Sequence, residues 1–309
     1  MAEQLYQRDI YGQTLLELGK KNKDIVVLDA DLSSSTRTNL FAKEFPGRFF
    51  NFGVAEQNMM ATAAGLASCG KTLLVSTFAM FATGRAWDQV RNSVSYSNFN
   101  IKIVATHAGI TVGPDGASHQ ALEDVALMRV IPNMKIIVPC DGPQTREAIM
   151  TAVDTKGPFY IRLGRPKVVT IENKGDFKLG QAQVLTSGND VAIIACGIMV
   201  SEALLAVGEL SKKGIAARLI NVHTINPLDN ETILKAAKET RGIVVCEEHS
   251  VIGGLASAVD EVVAENHPTK VVRLGIKNRF GQSGESAELL KEYKLTSIDI
   301  EKAVSGILS

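Results

Sequence analysis

The sequence has no excess of charge of either sign. Its 309 residues include 33 Lys and Arg and 33 Asp and Glu, so the formal net charge is zero. Proteins that bind nucleic acid or anionic membranes through bulk electrostatics need a basic surface. The charge balance therefore argues against both of these partners.

Cysteine is scarce and long apolar runs are missing. The four cysteines contain no C-x-x-C pair, and most lie in or beside apolar runs, so buried free thiols are expected. No apolar run reaches the roughly 20 residues that span a bilayer. The amphipathic start, MAEQLYQRDIYGQTLLELGK, lacks the apolar core of a signal peptide. These absences predict a soluble, cytoplasmic protein.

Motifs that identify an activity by themselves are also missing. The chain contains no G-x-G-x-x-G fingerprint, P-loop, nucleophile elbow or H-E-x-x-H. His107 and His119 are twelve residues apart with no cysteine close by, which fits no zinc pattern, so no metal site is assigned.

Short β-branched apolar runs alternate with helical stretches along the chain. They occupy residues 24–30, 72–77, 101–106, 134–140 and 159–164, then 191–197, 216–222, 242–248 and 270–276. Continuous apolar strands separated by helices predict parallel sheets covered on both faces. We therefore expect an α/β fold of two doubly wound domains, at residues 1–166 and 188–309, with a polar, Lys-rich connector at 167–187.

One carboxylate lies in unusual surroundings. In NFGVAEQNMMATAAGLASCGK, residues 51–71, Glu56 begins a helix of Ala, Met and Gly after a turn at Gly53, with no basic partner near in sequence. Apolar surroundings favour the protonated form of a carboxyl group, whereas a helix N-terminus favours the ionised form. A helix-capping role and a functional role both remain open at this point.

Four polar or aromatic segments follow predicted strands of the first domain. They are the loop 105–124 with His107, Asp115 and His119, the turn 29–40 with Asp31 and Ser35, the segment 76–94 with Phe78 and Phe81, and the segment 160–167 with Arg162 and Arg165. The carboxyl ends of parallel strands meet at one edge of the sheet, where α/β proteins bind ligands. The sequence thus predicts half of an active site there.

Several of these segments carry a family resemblance. FFNFGVAEQNMMATAAGLA, STFAMFATGRAWDQVRNSV, ATHAGITVGPDGASHQALEDVALMRVIPNMKIIVPCD and GPFYIRLGRP resemble, in order and spacing, the pyrimidine-binding domain of the transketolase family. The tail NRFGQSGESAELLKEYKLTSIDI resembles that family's C-terminal domain. The resemblance implies a thiamine-diphosphate enzyme, of which this chain is the C-terminal subunit of a split transketolase.

The resemblance gives the candidate residues their roles. Glu56 matches the glutamate that hydrogen-bonds the aminopyrimidine of the cofactor and stabilises its imino tautomer, and His119 matches a cofactor- and substrate-binding residue and is the candidate for proton transfer. The implied cofactor-binding set is Asp31, Glu56, Phe78, Phe81 and His119, and the implied substrate-binding set is Arg8, Ser35, His107, Asp115, His119 and Arg165. Where other members have a further aromatic, this chain has Gly84, and Trp87 is a candidate replacement.

A second chain is implied by a motif that the sequence lacks. Family members bind the diphosphate and Mg²⁺ through a Gly-Asp-Gly…Asn motif, and neither CDGPQ nor PDGAS is that motif. The expected partner is therefore an N-terminal subunit carrying the diphosphate and Mg²⁺ site, in an α2β2 assembly that transfers two-carbon ketol units between sugar phosphates.

Three alternatives share parts of this pattern. The β-subunit of a 2-oxoacid dehydrogenase has the same two domains and the same glutamate, but its acceptor-side loop differs from Asp115-Gly116-x-x-His119-Gln120. Deoxyxylulose-phosphate synthase shares D-G-x-x-H-Q but is normally one continuous chain. A non-catalytic paralogue that only pairs with other subunits would not need Glu56 and His119 intact.

Overall fold

The protein, described by a computed structural model, has two α/β units. The structure describes residues 3–172 and 175–309; residues 1–2 and 173–174, which belong to the predicted first domain and connector, lie outside the described residues. The strands are β1 (Gln4–Tyr6), β2 (Ile25–Asp29), β3 (Phe49–Asn51), β4 (Thr72–Phe78), β5 (Ile101–Thr106), β6 (Lys135–Ile137), β7 (Phe159–Arg162), β8 (Lys167–Val169), β9 (Gln183–Thr186), β10 (Val191–Ala195), β11 (Ala217–Asn221), β12 (Thr224–Asn226), β13 (Ile243–Ser250) and β14 (Val271–Ile276).

Helices cover both faces of the sheets. The α-helices are α1 (Gln7–Lys21), α2 (Ser33–Thr36), α3 (Asn39–Glu44), α4 (Glu56–Ser68), α5 (Trp87–Gln89), α6 (Asp124–Arg129), α7 (Gly142–Asp154), α8 (Met199–Lys212), α9 (Asn230–Glu239), α10 (Leu255–Asn266), α11 (Ser286–Glu292) and α12 (Ser297–Leu308). Two 3₁₀ segments, Pro46–Arg48 and Ile110–Asp115, and two π-helical segments, Phe81–Arg85 and Val90–Ser95, complete the described elements.

The first sheet has seven strands in the order β12-β6-β7-β5-β4-β2-β3. All of its pairings are parallel except that of β12, which runs antiparallel to β6. Every residue of β2, β4, β5 and β7 is buried, because helices cover both faces. Their carboxyl ends therefore lie together at one edge of the sheet, called here the carboxyl edge.

The second sheet has five strands in the order β14-β13-β10-β11-β9, parallel except for β9. The prediction of two mainly parallel α/β units is confirmed. Residues 167–187, predicted as the connector, include β8, which pairs with β1, and β9 of the second sheet.

One hydrophobic core joins the two units. It combines β2, β4 and β5 residues of the first sheet with β10, β11 and β13 residues of the second, for example Leu28, Val75, Ile194 and Val245. Strand β12, which follows β11 of the second sheet in the chain, adds an edge strand to the first sheet. The second unit is thus packed against the first rather than tethered to it.

Candidate cofactor half-site at the carboxyl edge

An aromatic cluster forms where β4 and β5 end. The ring of Phe78, the last residue of β4, stacks on His107 with centroids 3.9 Å apart, and on Phe81 with centroids 6.0 Å apart. His119 contacts both phenylalanines edge-on, with centroids 5.3 Å from Phe81 and 6.4 Å from Phe78. Residues from three predicted segments thus meet at the carboxyl edge.

His107 is a neutral, fixed member of this cluster. It is buried, with φ at +57°, and burial together with Arg8 and Arg165 lowers its pKa to about 3. Arg8 Nη1 lies 3.4 Å from Nε2 of His107, and Thr106 Oγ1 lies 2.9 Å from Nδ1. Because an arginine can only donate, Nε2 is the acceptor and the proton of the neutral ring lies on Nδ1.

Glu56 has a basic partner that the sequence did not reveal. The carboxylate lies at the start of α4 and is 1% exposed, beside buried Met59 and Met60. Arg85 Nη1 donates to both carboxylate oxygens at 2.9 Å, and the guanidinium lies 4.6 Å from the ring centroid of Phe81. The basic partner is 29 positions away in the chain, so it was not visible in the sequence around Glu56.

Arg85 belongs to a π-helical turn. The backbone from Phe81 to Arg85 forms the wider π-helix, with the exposed Gly84 in its last turn. Single π turns inside helices often occur at functional sites. Trp87 lies beyond this turn and donates from Nε1 to the carbonyl of Leu127 at 2.9 Å. In the described part of the chain, no ring contact joins Trp87 to Phe78 or Phe81.

A polar group lies on the other side of His107. Arg165 Nη1 donates to the carbonyl of Val112 and lies 3.7 Å from the carboxylate of Asp115. Both side chains are about one third exposed, so they can exchange partners with a ligand. Arg8 is half-buried, and burial lowers the pKa of its guanidinium. This group offers two cations and an acid next to the aromatic cluster.

Asp31 and Ser35 lie in the turn after β2, at the same edge. Asp31 is exposed with φ at +65° and accepts from Asn51 Nδ2 at 3.2 Å, while Ser35 is half-buried within α2. Within residues 3–172 and 175–309, no hydrogen bond or ion pair joins either side chain to the aromatic cluster. The structure places them at the edge without bringing them into contact with the other candidates.

This turn is held by a residue that sequence reasoning missed. Buried Asp29 accepts from the backbone of Leu32 at 2.7 Å and from the hydroxyls of Thr36 and Thr38 at 2.7 and 2.8 Å. Burial raises the pKa of Asp29, and these donors oppose the shift. An acid at the end of an apolar strand, followed by a hydroxyl-rich run, is the signal that could have identified it.

Two further observations concern metal ions and membranes. In the described part of the chain, no group of three His, Cys, Asp or Glu side chains is arranged to bind a metal ion. No helix there is long and apolar enough to cross a membrane. What is present is a stack of aromatic rings, a buried carboxylate and a cationic margin, which suits a flat heterocycle with nitrogen donors.

The fold and the site thus define an α/β chain with a candidate ring-binding site at the carboxyl edge of its first sheet. Two family descriptions match it: the transketolase pyrimidine-binding domain over residues 3–170 and the transketolase C-terminal domain over residues 180–300. The chain belongs to the transketolase family, whose members use thiamine diphosphate.

Three relatives illustrate the similarity. A protein of Methanocaldococcus jannaschii, named as a transketolase C-terminal section, is 52% identical over 95% of this chain and 93% of its own length. A 6-deoxy-6-sulfo-D-fructose transketolase subunit from Clostridium is 43% identical over 99% of this chain and 95% of its own length. A solved structure described as a split-gene transketolase, inactive β4 tetramer, is 50% identical with a TM-score of 0.91 and 98% coverage of both chains.

Proposed function

We propose that this chain is the subunit of a two-chain transketolase that binds the pyrimidine end of thiamine diphosphate. The partner is an N-terminal subunit that holds the diphosphate and Mg²⁺. Together they transfer a two-carbon ketol unit from a ketose phosphate to an aldose phosphate. The observation that carries the proposal is the buried carboxylate of Glu56, which Arg85 links to the ring of Phe81 and so to the stack of Phe81 on Phe78.

These residues fit the pyrimidine end of the cofactor. Glu56 is a buried hydrogen-bonding group whose present partner, Arg85, has a side chain 45% exposed and can move into solvent. Phe78 and Phe81 supply flat apolar surface for a ring. When bound, the cofactor supplies the electron sink for breaking the ketose carbon–carbon bond.

The remaining candidates handle the sugar in this proposal. Neutral His107 offers hydrogen bonds at a position fixed by Arg8 and Thr106. Half-exposed His119 can move a proton at the substrate oxygen, because its ring is not locked by burial. Asp115 recognises a substrate hydroxyl, which excludes donors that lack it.

The phosphate end requires cations. Arg8 and Arg165 both lie close enough to His107 to lower its pKa, and arginine binds phosphate with two parallel hydrogen bonds. Ser35 adds a hydroxyl from α2 to this contact. Asp31 contacts the cofactor region across an interface between two copies of the chain.

Two relatives support the two-chain arrangement and limit the substrate assignment. The split-gene relative was solved as an inactive β4 tetramer of chains equivalent in length to this one. We therefore expect this chain to be inactive alone and to form an α2β2 assembly with its partner. The Clostridium relative is named for a sulfonated sugar, 6-deoxy-6-sulfo-D-fructose, so such a sugar has to be tested beside the phosphates.

The test is reconstitution. This chain, the diphosphate-binding chain of the same organism, thiamine diphosphate and Mg²⁺ are mixed, and ketol transfer is measured with pentose phosphates and with 6-deoxy-6-sulfo-D-fructose. We expect no activity from either chain alone. We expect the mixture to transfer ketol units between sugars that carry a phosphate group.

Each other outcome contradicts a stated part of the proposal. Full activity of this chain alone would exclude the two-chain arrangement. Preference for the sulfonated sugar would overturn the phosphate assignment. Pyruvate decarboxylation without ketose turnover would move the chain to the oxoacid or deoxyxylulose enzymes.

A further inference from the structure

Strand β13 of the second unit contains three consecutive ionisable residues near its carboxyl end. Glu247, Glu248 and His249 are 1%, 4% and 1% exposed. Burying a charge costs much free energy unless the charge is paired and hydrogen-bonded. Their partners therefore show what this strand holds in place.

Glu247 holds a helix of its own unit. Its carboxylate accepts from the backbone amides of Leu255 at 2.7 Å and Ala256 at 2.9 Å, which begin α10. Carboxylates at helix N-termini satisfy amides that have no partner inside the helix. The contacts of Glu247 are thus internal to the second unit.

Glu248 faces the other way, as alternate residues of a strand do. Its Oε1 accepts from the backbone amide of Thr111 at 2.6 Å, across the boundary between the units. Thr111 belongs to the segment 107–120, called here the site loop, which carries His107, Asp115 and His119. Burial raises the pKa of Glu248, and Arg162 and Thr111 oppose that shift.

The site loop is shaped to receive this carboxylate. Gly109 has φ at +86°, and a Cβ atom there would lie 2.3 Å from Cδ of Glu248. Only glycine both adopts this backbone conformation readily and leaves room for the carboxylate. Arg162, which ends β7, donates to the main-chain carbonyl of Glu248 at 2.9 Å and thereby fixes the strand against the first sheet.

The C-terminal tail adds further contacts to the same loop. Ser286 Oγ donates to the carbonyl of Thr111 at 2.8 Å, and Gln120 Nε2 donates to the carbonyl of Gln282 at 2.9 Å. The second unit therefore makes hydrogen bonds to the site loop near both of its ends, at Thr111 and at Gln120.

We propose that Glu248 is a positioning residue: it fixes the site loop so that Asp115 and His119 face the sugar. It touches neither cofactor nor substrate, and this role rests on the proposed function of the loop residues. Glu56, Phe78 and Phe81 lie on α4, β4 and the turn after β4, and among the described residues no hydrogen bond or ion pair joins Glu248 to these elements. Loss of the Glu248 contact should therefore weaken handling of the sugar more than it weakens binding of the cofactor ring, which meets the loop only through His107 and His119.

The first test needs only this chain. Hydrogen exchange of peptides covering residues 109–120 is followed by mass spectrometry in wild type, Glu248→Ala and Glu248→Gln, with Glu247→Ala as the matched control. We expect Glu248→Ala to speed exchange at Thr111 by at least tenfold, since a hydrogen bond to a charged acceptor is lost. Glu248→Gln keeps an acceptor oxygen and should restore much of the protection.

The control variant should behave differently. Glu247→Ala is expected to speed exchange at residues 255–258 and leave the site loop protected. Unchanged exchange of the loop in Glu248→Ala would overturn the proposal. So would an equal effect of Glu247→Ala on the loop. If Glu248→Ala does not fold, Glu248→Asp decides, because its shorter side chain withdraws the acceptor oxygen from the amide of Thr111. Loop exchange equal to wild type in Glu248→Asp would then overturn the proposal.

A second test separates this role from the proposed function. In the reconstituted enzyme, Glu248→Ala should raise KM for the ketose and lower kcat, with Glu248→Gln closer to wild type. The change in Kd for thiamine diphosphate, measured by calorimetry, should be smaller than the change in KM. Equal losses in cofactor binding would indicate a merely structural role and overturn the proposal. If wild type has no ketol transfer, the proposed function fails, whereas the exchange experiment still tests the positioning contact.

Discussion

At the scale of single residues, the contact between Glu56 and Arg85 is the least expected feature of the site. The guanidinium is bonded to both carboxylate oxygens and lies over the ring of Phe81. In the proposed function these are the two surfaces that the aminopyrimidine uses, a hydrogen-bonding acid and a flat ring. Arg85 therefore has to leave Glu56 before the cofactor ring can bind.

Replacing Arg85 with Ala should strengthen cofactor binding. The ion pair between Arg85 and Glu56 competes with the cofactor ring for the carboxylate. The Arg85 side chain is about half exposed, and ion pairs with an exposed partner stabilise a protein by about 0.2–1 kcal/mol. We expect Kd for thiamine diphosphate in the reconstituted enzyme to fall by up to about fivefold, measured by calorimetry. Arg91→Ala, an exposed arginine that donates to Asn92, is the control. A weaker affinity in Arg85→Ala would mean that Arg85 binds the cofactor instead of competing with it.

The sequence predicted which residues lie together at the carboxyl edge, but it did not predict the ion pair between Glu56 and Arg85. Phe78, Phe81, His107 and His119 meet because strand ends of a parallel sheet converge, a rule that needs no side-chain detail. Arg85 is exposed, so no apolar periodicity indicates its direction. It reaches Glu56 through a π-helical turn, which the spacing of apolar residues does not specify.

At the scale of elements, β5 shows how one strand serves stability and function at opposite ends. Its carboxyl end leads into the site loop, and its second residue, Lys102, is fully buried. Lys102 Nζ donates to the carbonyls of Thr155 and Gly157, both at 2.7 Å, and lies 4.4 Å from the ring centroid of Phe159. Burial, with Lys135 nearby, lowers the pKa of Lys102 to about 7.

This shift predicts how stability depends on pH. Between about pH 7 and the unfolded-state value near 10.4, the unfolded chain binds the proton of Lys102 and the folded chain does not. The contribution of Lys102 to the free energy of unfolding therefore rises with pH across this window. Urea unfolding of wild type and Lys102→Met at pH 6, 7.5 and 9 measures it. The free energy of unfolding of wild type minus that of the variant should grow from pH 6 to pH 9. A difference that stays constant would contradict the lowered pKa of Lys102.

The strands that lie inside apolar runs were predictable, whereas the short strands β1, β8, β9 and β12 were not. The run at 101–106 coincides with β5, and the run at 72–77 misses only Phe78 of β4. Both are buried on both faces, so they appear as uninterrupted apolar runs. Strand β12 has three residues and pairs with β6 from the other unit, a long-range contact that leaves no local pattern.

At the scale of the whole molecule, the second unit makes hydrogen bonds to the loop that carries His107, Asp115 and His119. The family resemblance predicted both domains, but no residue pattern indicated what the second domain does. The sequence feature that indicates a role is the pair of acids in the apolar run, CEE at residues 246–248. A buried acid needs a partner, so two acids in a buried strand indicate contacts that the strand makes. The partner, an amide of the site loop, lies 137 positions away in the chain and only the structure reveals it.

The central claim is that Glu56 of this chain activates a cofactor held jointly with a second chain. The most direct measurement is deuterium exchange at the thiazolium carbon of thiamine diphosphate bound to the reconstituted enzyme. Wild type is compared with Glu56→Gln, and with Glu288→Gln, an exposed glutamate of α11, as control. We predict exchange slowed by about 10²–10⁴-fold in Glu56→Gln and unchanged in the control, with both variants folded. Exchange at the wild-type rate in Glu56→Gln would contradict the account.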